Sequence, residues 1–537
     1  MRYTSRSVVG FVIGILISVG SASAGEITGT VTFTEGSTTP VYTLDVAAHT
    51  ALDVPPVDSQ TVSNGGAYSL TVPDGTYYLS VVVDLNSSGG PPDPGEPWAW
   101  YDSDHNRAAD PVAVSGSTPG IDIAFGVIYV DADATAGAND GSSWADAYTD
   151  LAVGIATAST GVDVWVAEGT YTPGTTVSST FDLKNGVGIY GGFDGTETTR
   201  EQRHPDAHLT VLDGDYGADK VYHVVSSWSH DSTALIDGFT VTGGSADGVG
   251  APNNYGGGML VTGGYPVVVN VNFVGNFAAQ AGGGMAAYNF GRPYVYNCGF
   301  FGNTAGSYPV GTGGGFYGAS AGEGLVNCVF SGNSAGLRGG GVYISSGSYG
   351  GMLRNLSVSG NTAGYEAGGF FIDNTLAPGV DLTNSIVWDN VGGGYPNVLF
   401  WGTVSASRDI VQGGLVGGTN ILTGDPLFED PNGADDVLGT VDDDLRVQSS
   451  SPAIDAAENA AVPPDVGDCD YDFVTSEPMP IDKDLNARFQ DAPTVPDTGT
   501  GTPPIVDLGA YEFTVNPRIF EDGFELGNTT AWSSAVP

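Results

Sequence analysis

The chain has 537 residues, with 61 acidic against 15 basic side chains and a net charge of −46, yet 41% of its residues are hydrophobic and only 14% are charged. That apolar content supports a large core and excludes general disorder, and the length admits several domains. So one-sided a charge repels phosphate backbones and anionic lipid heads, which argues against nucleic acid and membrane surfaces as partners.

Residues 1–24 have the form of a secretory signal peptide. Arg2 and Arg6 give a basic start, the apolar run from Val8 to Val19 is short for a bilayer span, and Ala22-Ser23-Ala24 is a small-residue cleavage site. No later run is long and apolar enough to cross a membrane as a helix. The expectation is a secreted, extracellular or outer-cell-surface protein with no transmembrane segment.

Residues 25–125 alternate as short strands. Ile27–Phe33, Tyr68–Val72 and Tyr77–Val83 carry the pattern, and Pro73-Asp74-Gly75 turns between the last two, which predicts a small antiparallel β-sandwich. Two loops here have the ligand spacing of calcium sites. One is Asp84, Asn86 and Ser88 followed by Asp93 and Glu96; the other is Asp102, Asp104 and Asn106 followed by Asp110. Hard oxygen ligands on short loops suit calcium better than a transition metal. The first loop runs one residue long before its Glu, and Arg107 stands where the second wants Gly. Solvated Asp turns are the alternative reading.

Residues 126–445 are assigned to a solenoid. Strands at 127–131, 162–169 and 186–192 open it, and Leu151 to Ala158 predicts a short helix that caps its open end. One phrase then recurs, as in Asn270-Val-Asn-Phe-Val-Gly-Asn276, Asn297-Cys-Gly-Phe-Phe-Gly-Asn303 and Asn327-Cys-Val-Phe-Ser-Gly-Asn333. Its closing Asn returns at 276, 303, 333, 361 and 390, in steps of 27, 30, 28 and 29 residues. A second phrase, Gly-Gly followed by an apolar residue, ends at Gly258, Gly284, Gly315, Gly341 and Gly369. Periods in this range mean stacked coils. Strand alternation turns Cys298 and Phe300, Met285 and Ala287, and Val342 and Ile344 inward together with their equivalents. The Asn and Gly-Gly positions fit left-handed corners, and a column of Asn can bond its amides from coil to coil. Cys298 and Cys328 share one slot, as a stack of small apolar thiols or as a disulfide of poor geometry. There is no zinc spacing.

Residues 446–515 lose the period and become rich in Asp and Pro, and 516–537 form a short tail without a basic cluster or apolar run. Two more acidic clusters lie near here: Asp430, Asn432, Asp435, Asp442, Asp443 and Asp444, and then Asp468, Asp470 and Asp472.

These phrases carry resemblances. The stretch "YSLTVPDGTYYLSVVVD" resembles carboxypeptidase regulatory-like modules, which implies a spacer or binding unit. The coil of about 28 residues resembles the right-handed parallel β-helix of the pectin lyase-like superfamily. The paired Gly-Gly-Gly-apolar and Phe-x-x-Asn phrases resemble repeats of polymorphic outer-membrane proteins. "SPAIDA" (Ser451 to Ala456), "DLNARF" and "VDLGAYEF" (Val506 to Phe513) resemble the choice-of-anchor Q region that ends such chains, so 446–515 are expected to finish the solenoid. The resemblance implies a surface or secreted β-helix, frequently without assigned activity.

Two kinds of function fit such a chain. The first is a structural or adhesive role, binding a polysaccharide or a surface protein. Tyr288, Tyr317, Tyr343 and Phe371 fall on outward positions of neighbouring coils, and an exposed aromatic stripe suits flat sugar faces or protein partners. Aromatic stacking that simply stabilises a parallel sheet is the alternative. The second is a polysaccharide lyase or glycoside hydrolase. Lyases with this fold need calcium and a basic residue, and hydrolases need paired acids. Between residues 250 and 420 there is no His and no Lys. The catalytic candidates are therefore Asp373, Asp389 and Arg354, and none sits in a hydrolase signature such as Gly-His-Gly or Asn-Thr-Asp.

Overall fold

The computed structural model describes residues 24–35, 43–52, 54–84, 98–103, 109–307, 309–319, 324–345, 351–374, 379–402, 404–470 and 475–514. Residues 1–23 of the segment 1–24 read as a signal peptide, and the tail 516–537, lie outside them. So do Asn86, Ser88, Asp93 and Glu96 of the first calcium-type loop, Asp104 and Asn106 of the second, and Asp472.

The solenoid has three long parallel sheets and one narrow ladder. A single coil shows the plan. Tyr294–Tyr296 lies in the first sheet, Gly299–Phe301 in the second, Thr304–Ala305 in the narrow ladder and Phe316–Gly318 in the third. The next coil repeats it with Gly324–Val326, Val329–Ser331, Ser334–Ala335 and Val342–Ile344. Pairing is parallel and in register: Val295 faces Leu325, Phe300 faces Phe330, and Tyr317 faces Tyr343. A slip of one residue would turn Phe300 and Cys298 out to water, so the buried face fixes the register. Right-handed winding follows the hand of parallel crossovers. The fold is all-β, as predicted, with antiparallel N-terminal sheets followed by a right-handed parallel β-helix.

The interior is columnar. Phe273, Phe300 and Phe330 stack with centroids 4.9 and 4.5 Å apart, and each such ring contributes on the order of 2–3 kcal/mol by burial. Cys298 and Cys328 are buried free thiols in the same core. Helix Leu151–Thr157 closes the first coil, with Leu151 and Ile155 buried in this core and Asp150 capping its first turn.

The repeated Asn residues divide into two columns with different duties. The opening ones, Asn270, Asn297, Asn327, Asn355 and Asn384, hold φ between 51° and 60° and make the left-handed corner between the first and second sheets. The closing ones run as a hydrogen-bonded ladder. Asn276 donates both its main-chain N–H and its side-chain amide to Oδ1 of Asn303, and the pattern repeats through Asn333, Asn361 and Asn390. The Gly-Gly phrases place main chain against main chain. A Cβ on Gly314 would lie 2.4 Å from the Gly340 carbonyl oxygen.

Strand Ala24–Glu35 joins the two units. Its first half pairs antiparallel with Ala67–Pro73, while Val31 to Glu35 pair in parallel with strand Ile123–Val130 of the first sheet. The division drawn between residues 125 and 126 therefore falls inside a strand that belongs to both. The described residues 428–470 and 475–510 do not form a last coil. They fold back along the outer faces of the first and second sheets, and together they bury a second core. Val267, Val269, Tyr296, Val326 and Ile386 of the solenoid meet Leu445, Ile454, Met479, Val506 and Leu508 there. The expected solenoid end is thus a side layer, because the outer residues of these two sheets are apolar and need cover.

Candidate functional site

The outer face of the third sheet carries the aromatic column. Tyr317 and Tyr343 have centroids 5.6 Å apart and planes within 12°, and Tyr343 and Phe371 are 5.3 Å apart and within 3°. Parallel in-register strands force this, since Tyr343 faces Phe371 directly. Tyr255 extends the column at one end, 4.8 Å from Tyr288 and 5.6 Å from Tyr317. Trp401 extends it at the other, edge-on to Phe371 at 5.0 Å.

The stripe differs from the exposed one expected. Stacking presents each inner ring's face to its neighbour, and Phe371 is 0% exposed. Burial raises the Tyr317 and Tyr343 hydroxyls above the ordinary tyrosine value, so both are neutral. The exposed planes stand at the later end: Trp401 and Tyr365 are 40% and 48% exposed. Arg338 bridges them. Its guanidinium lies 4.5 Å from the Trp401 ring centroid, 4.8 Å from Phe371 and 5.6 Å from Tyr365. Its Nε donates to Glu366 at 2.8 Å. Arg338 and Tyr365 sit in the turn before the third sheet and escape a reading of strand positions. Trp401 occupies the Asp373 column one coil on, where the period has already faded from the sequence.

The three catalytic candidates do not converge. Arg354 ends a first-sheet strand, Met352–Arg354; Asp373 lies in third-sheet strand Phe370–Asn374; Asp389 follows second-sheet strand Ile386–Trp388. Two of the side chains are also engaged. Arg354 pairs with Asp381, and Asp389 accepts from Gln412 at 2.8 Å. Burial opposes ionisation of Asp381, but the Arg354 hydrogen bond and charge outweigh it and hold the carboxyl below its ordinary range. Arg354, Asp381, Ser405, Ser407, Thr419 and Glu458 line a cleft of about 540 Å³ between the late coils and the side layer. Beneath it Asp409 is fully buried, with one oxygen accepting the Ser385 N–H at 2.9 Å, and burial pushes its pKa well above the carboxylate range.

Of the calcium-type positions, Asp84 ends strand Gly75–Asp84, and Asp102 and Asp110 are described. Asp110 takes the Ser103 N–H at 2.8 Å and the Ser103 hydroxyl. The cluster at 430–444 resolves into turn caps and an ion pair. Asp443 accepts from Ser331 Oγ and Gly439 N, Asp442 from Thr440 Oγ1 and Asp435 N, and Asp444 pairs with Arg446. Asp468 pairs with Arg200 at 3.6 Å. Asp470 instead gathers with Asp465 and Glu477. Among the described residues, no helix is long and apolar enough to cross a membrane.

No family model matches the chain, and no curated protein matches it. Among solved structures, the crystal structure of pectate lyase Pel9A is similar at 15% identity and a TM-score of 0.39, over 72% of this chain and 96% of that one. The parallel in-register strand pairing itself establishes the fold.

Proposed function

We propose that this chain is a secreted or cell-surface β-helix protein of adhesive or structural role, and that it holds a glycan at the Trp401–Arg338–Tyr365 end of its aromatic column. The observation that carries this reading is the pairing of two exposed aromatic planes around a fixed guanidinium. Aromatic faces take the apolar face of a sugar ring, and Arg with Glu366 supplies polar partners for its hydroxyls. The stacked rings behind them give a rigid support, which lowers the ordering cost of binding.

The test is retention on affinity gels containing acidic or neutral polysaccharides. The double variant Trp401→Ala with Tyr365→Ala should lose retention and keep its melting temperature. Tyr317→Ala with Tyr343→Ala should lower the melting temperature, because it removes internal stacking. Retention unchanged in the first variant sinks the glycan assignment. The chain is instead a polysaccharide lyase or hydrolase if product forms and Arg354→Ala abolishes it.

A further inference from the structure

We propose that Asp455, Asp491 and Asp497 bind one hard divalent cation, and specifically calcium. Asp455 belongs to the "SPAIDA" phrase of the side layer, and none of the acidic clusters visible as a local run includes it. It is 1% exposed, and neither carboxylate oxygen has a hydrogen-bond partner of normal geometry among the described residues. Its carboxylate, and those of Asp491 and Asp497 from a surface loop, have oxygens within 4.8 Å of one another. Ligand oxygens on opposite sides of a calcium ion stand at most about 5 Å apart. Among the described residues, none of the three acids has a salt-bridge partner.

The geometry is held from outside the cluster. Asp455 sits at φ 51°. Its N–H donates to Asp507 Oδ1 at 2.6 Å, and its carbonyl accepts the N–H groups of Thr498 and Gly499, both at 2.9 Å. These bonds fix the main chain next to Asp497. The Val495 N–H to Ala492 carbonyl bond, 2.8 Å, turns the loop so that Asp491 returns to the same place. Arg408 of the solenoid donates to the Thr498 carbonyl at 2.8 Å and is spent on main chain there. What remains is a buried carboxylate with two like charges against it. Burial, and then Asp497 and Asp491, push its pKa up to about 6 despite the Ala492 N–H nearby. A bound divalent cation removes that repulsion. Two of the ligands are exposed, which leaves room for waters to complete the six to eight oxygens calcium takes; magnesium demands a tighter octahedron.

The experiment uses the full chain, stripped with EGTA, and calcium alone in high KCl, which displaces loosely held counterions. Equilibrium dialysis counts bound ions and thermal melts follow stability. The variant Asp491→Asn with Asp497→Asn, altered only at exposed positions, should bind one equivalent fewer than the unaltered chain. It should also lose part of the calcium-induced rise in melting temperature. Asp455→Asn should melt no lower than the unaltered chain in EGTA, since it removes a buried like charge, and should gain less from calcium. Ions held at the N-terminal loops persist in all three proteins and cancel. An unchanged stoichiometry in the surface double variant overturns the site, including where Asp455→Asn fails to fold.

Discussion

Asn333 receives two hydrogen bonds from Asn303 on a single oxygen: the main-chain N–H and the side-chain amide, each at 3.0 Å. Its own amide reaches the Phe300 carbonyl and Asn361 Oδ1, both at 2.8 Å. Every partner is buried, so truncation orphans groups in two neighbouring coils. Asn333→Ala should cost about 2–4 kcal/mol, the penalty of several unsatisfied buried polar groups. Urea unfolding measures it, and a loss under about 0.5 kcal/mol would show the ladder to be dispensable.

Ala367 holds φ 51° at the corner where earlier coils place Gly282, Gly313 and Gly339 at 68°, 64° and 62°. A side chain in the left-handed region costs about 1–2 kcal/mol, and Gly gives back about 0.4–1 kcal/mol through greater freedom of the unfolded chain. The Ala367 methyl is also fully buried and contributes about 0.8 kcal/mol, so Ala367→Gly should leave stability within about 0.5 kcal/mol of the unaltered chain. A loss above about 1 kcal/mol, the ordinary result of deleting a buried group at an unstrained position, would refute the strain.

Arg338→Ala removes the guanidinium from Phe371 and Trp401 and leaves Glu366 without its partner. A loss of about 1–2 kcal/mol is expected, with a red shift of tryptophan emission as water reaches Trp401. Arg338→Lys should recover only part of this, because an ammonium lacks the planar fork and stacks less well. Full recovery by Lys would mean that charge alone matters.

Burial holds the Asp507 carboxyl up at about 7, against the lowering effect of N–H bonds from Asp455 and Phe513. The folded state thus keeps a proton that the unfolded chain releases near pH 4, the ordinary carboxylate value of about 3.9. Stability from this group is present in mild acid and falls as pH rises from about 4 to 7. Burial raises Asp482 and Glu512 in the same layer, and they act with the same sign. In EGTA, melting temperature should decline across that window, and Asp507→Asn should flatten the decline. An equal slope in the variant would place the effect elsewhere.

The repeat phrases made the solenoid legible because each coil must bury the same slots against its neighbours, and identical demands leave identical letters. Phe273, Phe300 and Phe330 could be assigned inward from spacing alone. The two Asn columns looked alike in the sequence and proved different. φ separates the opening Asn297 from the closing Asn303, and φ is not written in residue type.

The candidate sites were less legible. Tyr317, Tyr343 and Phe371 were found by register, but their exposure depended on what covers them, and stacking covers their faces. Asp373, Asp389 and Arg354 shared a stretch of sequence and were separated by a third of a turn each. Asp455 lies far along the chain from Asp491 and Asp497 and meets them only after the chain folds back.

Composition, period and alternation by themselves determined an all-β chain, its coil length, its inward columns and the strand nature of its front. The tertiary structure alone decided that the described residues 428–470 and 475–510 lie along the solenoid instead of ending it, that one strand serves both units, and which acids converge. Local letters report contacts that recur at a fixed spacing, since register repeats them. Contacts made once, between distant segments, leave no periodic trace and are settled only by where the apolar faces find cover.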